Sequence, residues 1–468
     1  MGRSTELSPA VDAVTQRYRT TRRERVSYAV YSLGQINVYI FMYMFLQIFL
    51  TDLGIPVAMV GTIFIVARVW DAVNDPMFGI LVDKSRFKTG KYLPWLRASS
   101  FLIPVSTIAL FAIPADLSLT AKIAAAAALY VVWGMSYTVC DVPYFSVTAA
   151  MTDNLDERNR IIANGRMLTA VGPLLVGTVV PLVYPEIGWF ATGTIIALFS
   201  LLTMVPLGFI AKERNRSNSD EFPAIKELIL SVVKNRYLLV FCAAFIVSGL
   251  TNASIAVSGY FATYVLGGPQ MMSLIFLASI VPSMAAIGLV PTLSKWIDKF
   301  YLYMGSLGLT VLLSVPMYFV GYRNLTVFIV FMAVRNAVAA ISAGTIMSMF
   351  ILDCSEYSRF KTGTDATAAS LSVQTFTNKL FVAISGGVGM FILGTAGFVS
   401  GDQAVQPQPV LDMLWIMMSI LPTVGQILSF FMLLFGYRLR DKDVQIMARA
   451  NRGTITPEEA TAQLSRQY

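Results

Sequence analysis

The chain has 468 residues, 56% hydrophobic and only 13% charged, with a net charge of +8 and no histidine. With a mean hydropathy of +0.65, this composition excludes an ordinary soluble domain. The missing histidine removes imidazole proton relays, Ser-His-Asp catalysis and histidine metal sites, so any proton chemistry must run on carboxylates.

The first residues, 1–26, form a polar, basic arm without a short apolar stretch and cleavage site, so no signal peptide is expected. Apolar runs able to cross a hydrocarbon core of roughly 30 Å follow at 27–51, 57–82, 95–114, 121–146, 161–184, 188–210, 237–264, 271–292, 301–320, 324–350, 367–397 and 411–437. These predict an all-α membrane protein of about twelve spans. Lys and Arg gather in the N-terminal arm, in the second connection (Lys84, Arg86, Lys88, Lys91), in the sixth (Lys212, Arg214, Arg216, Lys226) and in the C-terminal arm (Arg438, Arg440, Lys442). Their spread through the connections argues against nucleic acid as a partner and places both termini in the cytoplasm.

The spans divide into two six-helix halves, 27–210 and 237–437, joined by a cytoplasmic loop at 211–236 and followed by a polar cytoplasmic tail at 438–468. A repeat supports the division. Asp153 and Asp156 in MTDNLDERNR match Asp353 and Glu356 in ILDCSEYSRFKTG, and RFKTG occurs at both 86–90 and 359–363. The second of these segments is expected to be a loop. Cys140, Cys242 and Cys354 have no metal-ligand spacing, and no disulfide is expected.

The second span holds RVWDAVNDPMFG, with Asp71, Asn74 and Asp75 on one helical face. A charge at mid-bilayer costs at least about 2.5–3.5 kcal/mol, and two acids four residues apart repel each other unless a cation or proton lies between them. Carboxylate, amide and hydroxyl oxygens suit a hard monovalent ion such as Na⁺ or Li⁺, while a raised pKa would suit H⁺. Arg68, one turn earlier, is placed to compensate Asp71. The fourth span adds Thr138 and Asp141 in SYTVCDVPYFS, the fifth carries Arg166 near its start, and the eleventh carries Lys379 in SVQTFTNKLF. Three acids facing two bases nearly balance, as a low-dielectric interior demands. Tyr137 and Phe145 offer aromatic faces for sugar rings, Pro143 is expected to weaken the fourth helix beside the site, and Arg335 is assigned to packing or gating.

VARVWDAVNDPMFG, KTGKYLPW, WGMSYTVCDVPYFS and SVQTFTNK together resemble the glycoside–pentoside–hexuronide:cation symporter family of the major facilitator superfamily, the family of melibiose permease. The resemblance spans nearly the whole chain and implies the major facilitator fold. It places a cation site on Asp71, Asn74, Asp75 and Thr138. It places a sugar site on Asp141 and Arg166, with Lys379, Gln374, Thr375 and Tyr137 close by. Where melibiose permease has a lysine and an aspartate on the first helix, this chain has Gln35 and Ile36, and a tryptophan platform becomes Phe145. Losing both charged residues leaves the net charge as it was but removes partners for sugar hydroxyls, so an acidic glycoside or a smaller pentoside making fewer contacts is expected, while Gln35 is placed to supply the missing hydrogen bonds.

The expected function is secondary active symport: inward flow of Na⁺, Li⁺ or H⁺ drives uptake of a glycoside, pentoside or hexuronide across a bacterial inner membrane, by a protein functional as a monomer. Asp153, Asp156, Arg160, Asp353, Glu356 and Arg359 are expected to make and break ion pairs at the inner gate. Two rivals are a lysolipid-type transporter of the same fold and a non-transporting sugar sensor. With no nucleophile–base pair, metal motif or phosphate loop, neither an enzyme nor a cofactor is expected.

Overall fold

The computed structural model describes residues 19–85, 87–215, 235–343, 345–363, 370, 373, 377, 386–401 and 404–466. The helices in chain order are α1 (Arg22–Asp52), α2 (Val57–Lys84), α3 (Leu93–Phe111), α4 (Leu119–Met151), α5 (Leu155–Ile210), α6 (Arg236–Ser248), α7 (Leu250–Tyr264), α8 (Gln270–Leu293), α9 (Lys299–Val320), α10 (Leu325–Ala343), α11 (Thr345–Thr362), α12 (Gly386–Thr395), α13 (Gln408–Gly436), α14 (Asp441–Asn451) and α15 (Pro457–Gln463). Among the described residues, nine of these are long and apolar enough to cross a membrane. α5 supplies two spans, because Gly188 breaks it at φ 81°, a left-handed conformation that glycine adopts without a Cβ penalty. The seventh span is α6 and α7 together, and α12 lies at the end of the expected eleventh, most of which is outside the described residues.

Three apolar cores order the helices. One is built only from residues before 216, including Tyr28, Tyr31, Phe78, Cys140 and Leu207. A second is built only from residues after 234, including Tyr237, Phe241, Phe350 and Tyr437. Both lie at the end of the bundle that carries the chain termini. The third draws Phe45, Ile48, Val60 and Val176 from the first half and Val257, Tyr260, Ile275 and Met390 from the second, at the opposite end. The halves are therefore sealed together at the far end, while at the termini end each closes on itself. All three cysteines are buried and free.

Two expectations are corrected. ILDCSEYSRFKT is not a loop: it forms α11, because Phe350, Ile351 and Cys354 recur at helical spacing and bury one face against the second-half core. The tail is not merely polar: α14 buries Val444 and Met447 in that same core. Asp298 and Asp441 exchange helix caps there. The Asp298 carboxylate accepts from the Asp441 amide at 2.9 Å, and the Asp441 carboxylate accepts from the Lys299 amide at 3.1 Å. The Arg440 guanidinium stacks over Phe300 at 3.6 Å, and buried Asp443 accepts from the Ser465 amide at 2.9 Å, folding the chain back on itself.

Candidate functional site: acidic residues between the second and fourth helices

α2 and α4 bring the intramembrane acids together in the first half. The Thr138 hydroxyl donates to Asp75 Oδ1 at 2.8 Å. One turn along α2, Arg68 Nη1 donates to Asp71 Oδ2 at 3.1 Å, and both side chains are mostly shielded, 16% and 17% exposed. Arg68 Nη2 also reaches the Tyr130 hydroxyl at 3.3 Å. Asn74 lies between the acids, half-buried. The four residues expected to hold a cation thus share the α2–α4 face, with Asp75 bonded to α4 and Asp71 to Arg68.

The close approach of the helices depends on Gly134, since a Cβ there would fall 2.8 Å from Asp71 Oδ1. Gly134 and Tyr130 were not singled out from the sequence. Their signal was positional: both lie on the Thr138 face of α4, one and two turns before it.

Asp141 is the next polar residue along α4, and Gln35 of α1 donates its amide to Asp141 Oδ1 at 2.9 Å. Gln35 is 7% exposed, so this bond fixes the carboxylate in a largely dry setting. Tyr137 lies beside Gln35 and Asp141. It stacks on Trp133, with centroids 5.3 Å apart, and packs against Tyr39 at 5.1 Å. Phe145 is 69% exposed and forms no enclosed platform in this state. Arg166 was expected near a helix end. Because α5 starts at Leu155, it lies three turns in, exposed and close to the stacked Tyr28–Tyr144 pair. Lys379, Gln374 and Thr375 lie outside the described residues.

The charged residues expected at the inner gate are placed at the termini end, and their described bonds stay within one half. Asp153 pairs with Arg19 at 2.6 Å. Asp353 pairs with Lys299 at 2.8 Å, and Lys299 also reaches Asp441 at 3.1 Å. Glu356 accepts from the Asn451 amide of α14 at 2.7 Å. Asp156 and Arg160 are exposed on the first turns of α5, and Arg359 is exposed on the last turn of α11. Burial pushes the Asp353 carboxyl up to about 6, against the lowering effect of Lys299. A residue not anticipated, Glu157, is buried at the start of α5. It accepts from the Thr20 amide at 2.9 Å and the Thr152 hydroxyl at 2.7 Å, tying the N-terminal arm to the α4–α5 turn.

Comparison with known proteins agrees with this architecture. A family model described as "MFS/sugar transport protein" matches residues 27–441. An uncharacterized symporter of Bacillus subtilis, YjmB, is 30% identical over 94% of this chain and 97% of its own length. A putative glycoside/cation symporter of Escherichia coli, YagG, is 25% identical over 92% of this chain and 94% of its own. Among solved structures, the nucleoside transporter NupG superposes with a TM-score of 0.63 at 13% identity, covering 89% of this chain and all of NupG, which supports the major facilitator fold. With intramembrane acids on α2 and α4, two six-helix halves and a match over most of its length, the chain belongs to the MFS/sugar transport protein family.

Proposed function

We propose that this protein is a symporter that couples inward flow of a monovalent cation to uptake of a sugar or glycoside, with both termini in the cytoplasm of a bacterial cell. The observation that carries the reading is the pairing of two adjoining polar sites on α4: Thr138 bonded to Asp75 and Asp141 bonded to Gln35. They are one helical turn apart, so occupation of one bears on the other.

Charge favours a monovalent ion. Asp71 is compensated by Arg68, so these two with Asp75 leave a net charge of −1, which one Na⁺, Li⁺ or H⁺ neutralises. The cation binds at Asp71, Asn74, Asp75 and Thr138. It orders α2 against α4, and Asp141, Gln35 and Tyr137 then hold the substrate together with Arg166, Lys379, Gln374 and Thr375. Each charge crossing 100 mV supplies ~2.3 kcal/mol, enough for a gradient of some tens-fold. The relative YagG, named a putative glycoside/cation symporter, supports the substrate class. No cofactor takes part.

The test is uptake of a panel of labelled glycosides, pentosides and hexuronides into proteoliposomes under imposed Na⁺, Li⁺ or H⁺ gradients. Accumulation of at least one sugar only when a gradient is present is the expected result. Uptake of none, or equal uptake without any gradient, overturns the reading.

A further inference from the structure

Arg97 is a charge that the α2–α4 site does not use. It lies one turn into α3, which starts at Leu93, and meets the last turn of α5, which ends at Ile210. Its Nε donates to the Gly208 carbonyl at 2.5 Å, and its guanidinium lies over the Phe209 ring, 5.1 Å from the centroid. Gly208 makes room for this approach, since a Cβ there would fall 2.6 Å from Arg97 Cγ. The side chain is thus fixed against α5 instead of swinging toward water.

Held in this way, the guanidinium keeps both Nη groups without a hydrogen-bond partner and forms no ion pair among the described residues. Glu213, which follows α5, is not its counter-ion. That carboxylate accepts from the Lys91, Tyr92 and Leu93 amides at 2.6, 2.7 and 2.7 Å and satisfies the first turn of α3. A half-buried guanidinium with an open fork and an unmet charge is a ready partner for an anion from outside the chain.

Its position names the anion. Phe101 and Val105 follow Arg97 one and two turns on along the same face of α3, and they are 48% and 64% exposed; Phe209 is 61% exposed. In a membrane span such side chains meet lipid, and Arg97 stands where this stripe ends, at headgroup level. A phosphodiester takes paired N–H bonds from a guanidinium, and its acyl chains can then lie along the apolar stripe.

We propose that Arg97, Gly208 and Phe209 form a site for an anionic phospholipid of the leaflet on the termini side, with its phosphate on the open guanidinium edge and an acyl chain along Phe101 and Val105. An anionic lipid such as phosphatidylglycerol neutralises Arg97, whereas a choline headgroup brings its own cation. The bound lipid bridges α3 and α5 where the chain leaves the first half. The site stands apart from the symport reading, because lipid binding is measured without any uptake.

The test uses the full chain in maltoside micelles, which carry no phosphate, with lipid retention read by native mass spectrometry after addition of phosphatidylglycerol, phosphatidylcholine or inorganic phosphate. The wild type should retain phosphatidylglycerol at least about tenfold more strongly than Arg97→Leu, the factor a charged hydrogen bond supplies. Gly208→Ala keeps the charge but pushes a Cβ into Arg97, and it should weaken retention too, which a charge acting at long range would not show. Lys295→Leu removes an exposed basic residue elsewhere at the termini end and should change nothing.

Equal losses in Arg97→Leu and Lys295→Leu would mean diffuse attraction to a basic surface, and the proposal is overturned. It is also overturned if the wild type retains phosphatidylcholine as strongly, or if inorganic phosphate at equal concentration displaces the lipid, which would make the ligand a free anion. Should Arg97→Leu fail to fold, Arg97→Lys keeps a charge without the fork; retention should fall severalfold, and wild-type retention in that variant overturns the site.

Discussion

Replacing Arg335 by Met tests whether a buried charge in the second half is there to mend a proline gap. Arg335 is 3% exposed on α10 and forms no ion pair among the described residues. Its Nη1 donates to the Met418 carbonyl of α13 at 3.2 Å, and its Nε and Nη2 reach Asn336 Oδ1 at 3.4 and 3.3 Å. Met418 lies four residues before Pro422, so its carbonyl is the one that loses its helical donor. Asn336 donates in turn to Ser279 of α8 at 2.8 Å, and the chain of bonds links α8, α10 and α13.

A hydrogen bond from a charged donor is worth about 1.5–3 kcal/mol, and an orphaned buried carbonyl costs about 1–3 kcal/mol. Pro422→Ala restores an N–H to that carbonyl. Arg335→Met should therefore be more harmful in the wild type than in the Pro422→Ala background, by about 1–2 kcal/mol of coupling. The assay is a double-mutant cycle of unfolding free energies in detergent micelles. The sign of the single Arg335→Met effect does not decide the matter, because removing an unpaired buried charge also relieves desolvation. Additive effects of the two substitutions would refute the reasoning.

Three further outcomes are expected. Asp75→Cys removes the acid that accepts from Thr138 and should abolish cation-dependent accumulation in proteoliposomes without loss of insertion; wild-type accumulation would sink its role. Gly134→Ala puts a Cβ 2.8 Å from Asp71 Oδ1, and displacement of that carboxylate should weaken apparent cation affinity at least about tenfold, ~1.4 kcal/mol, whereas an unchanged cation titration would argue that Asp71 is not a ligand.

The third concerns Asp353, whose carboxyl burial raises to about 6. The native state then holds this proton more tightly than the unfolded chain. The contribution is fully present below the ordinary aspartate value and is lost as pH rises through about 6, on the order of 1–3 kcal/mol. Melting temperatures measured from pH 4.5 to 7 should accordingly fall more steeply for the wild type than for Asp353→Asn, and parallel curves would contradict the assignment.

Hydropathy made most of the fold legible, because a span must bury its backbone polar groups in a helix and its surface in lipid. What it hid were helices with mixed surfaces. α11 sets Asp353, Glu356 and Arg359 among Phe350, Ile351 and Cys354, and α14 offers little more than Val444, Ile446 and Met447 as an apolar stripe. Either segment reads as a loop until a partner surface is known. At the site, helical spacing brought out Arg68 with Asp71, and the resemblance put Thr138 with Asp75. Gly134 could not announce itself, since its role is the absence of a side chain where α2 comes close. The Gln35–Asp141 bond rested on one substitution in the resemblance, and its geometry needed the α1–α4 crossing. Arg166 was misplaced because the helix start was set by the apolar run rather than by Asn154, whose side chain accepts from the Asp156 and Glu157 amides at 3.0 and 3.2 Å and so caps α5 two turns earlier.

The exchanged caps at Asp298 and Asp441 bind the fates of two helix ends. If α14 lifts away, α9 loses the carboxylate that satisfies the Lys299 amide, and if α9 frays, the Asp441 amide is orphaned in turn. Neither end can open alone without leaving a polar group of the other unmet. In amide hydrogen exchange, Lys299 and Asp441 should therefore open together with one protection factor, as members of a single cooperative unit that joins the tail to the transmembrane body.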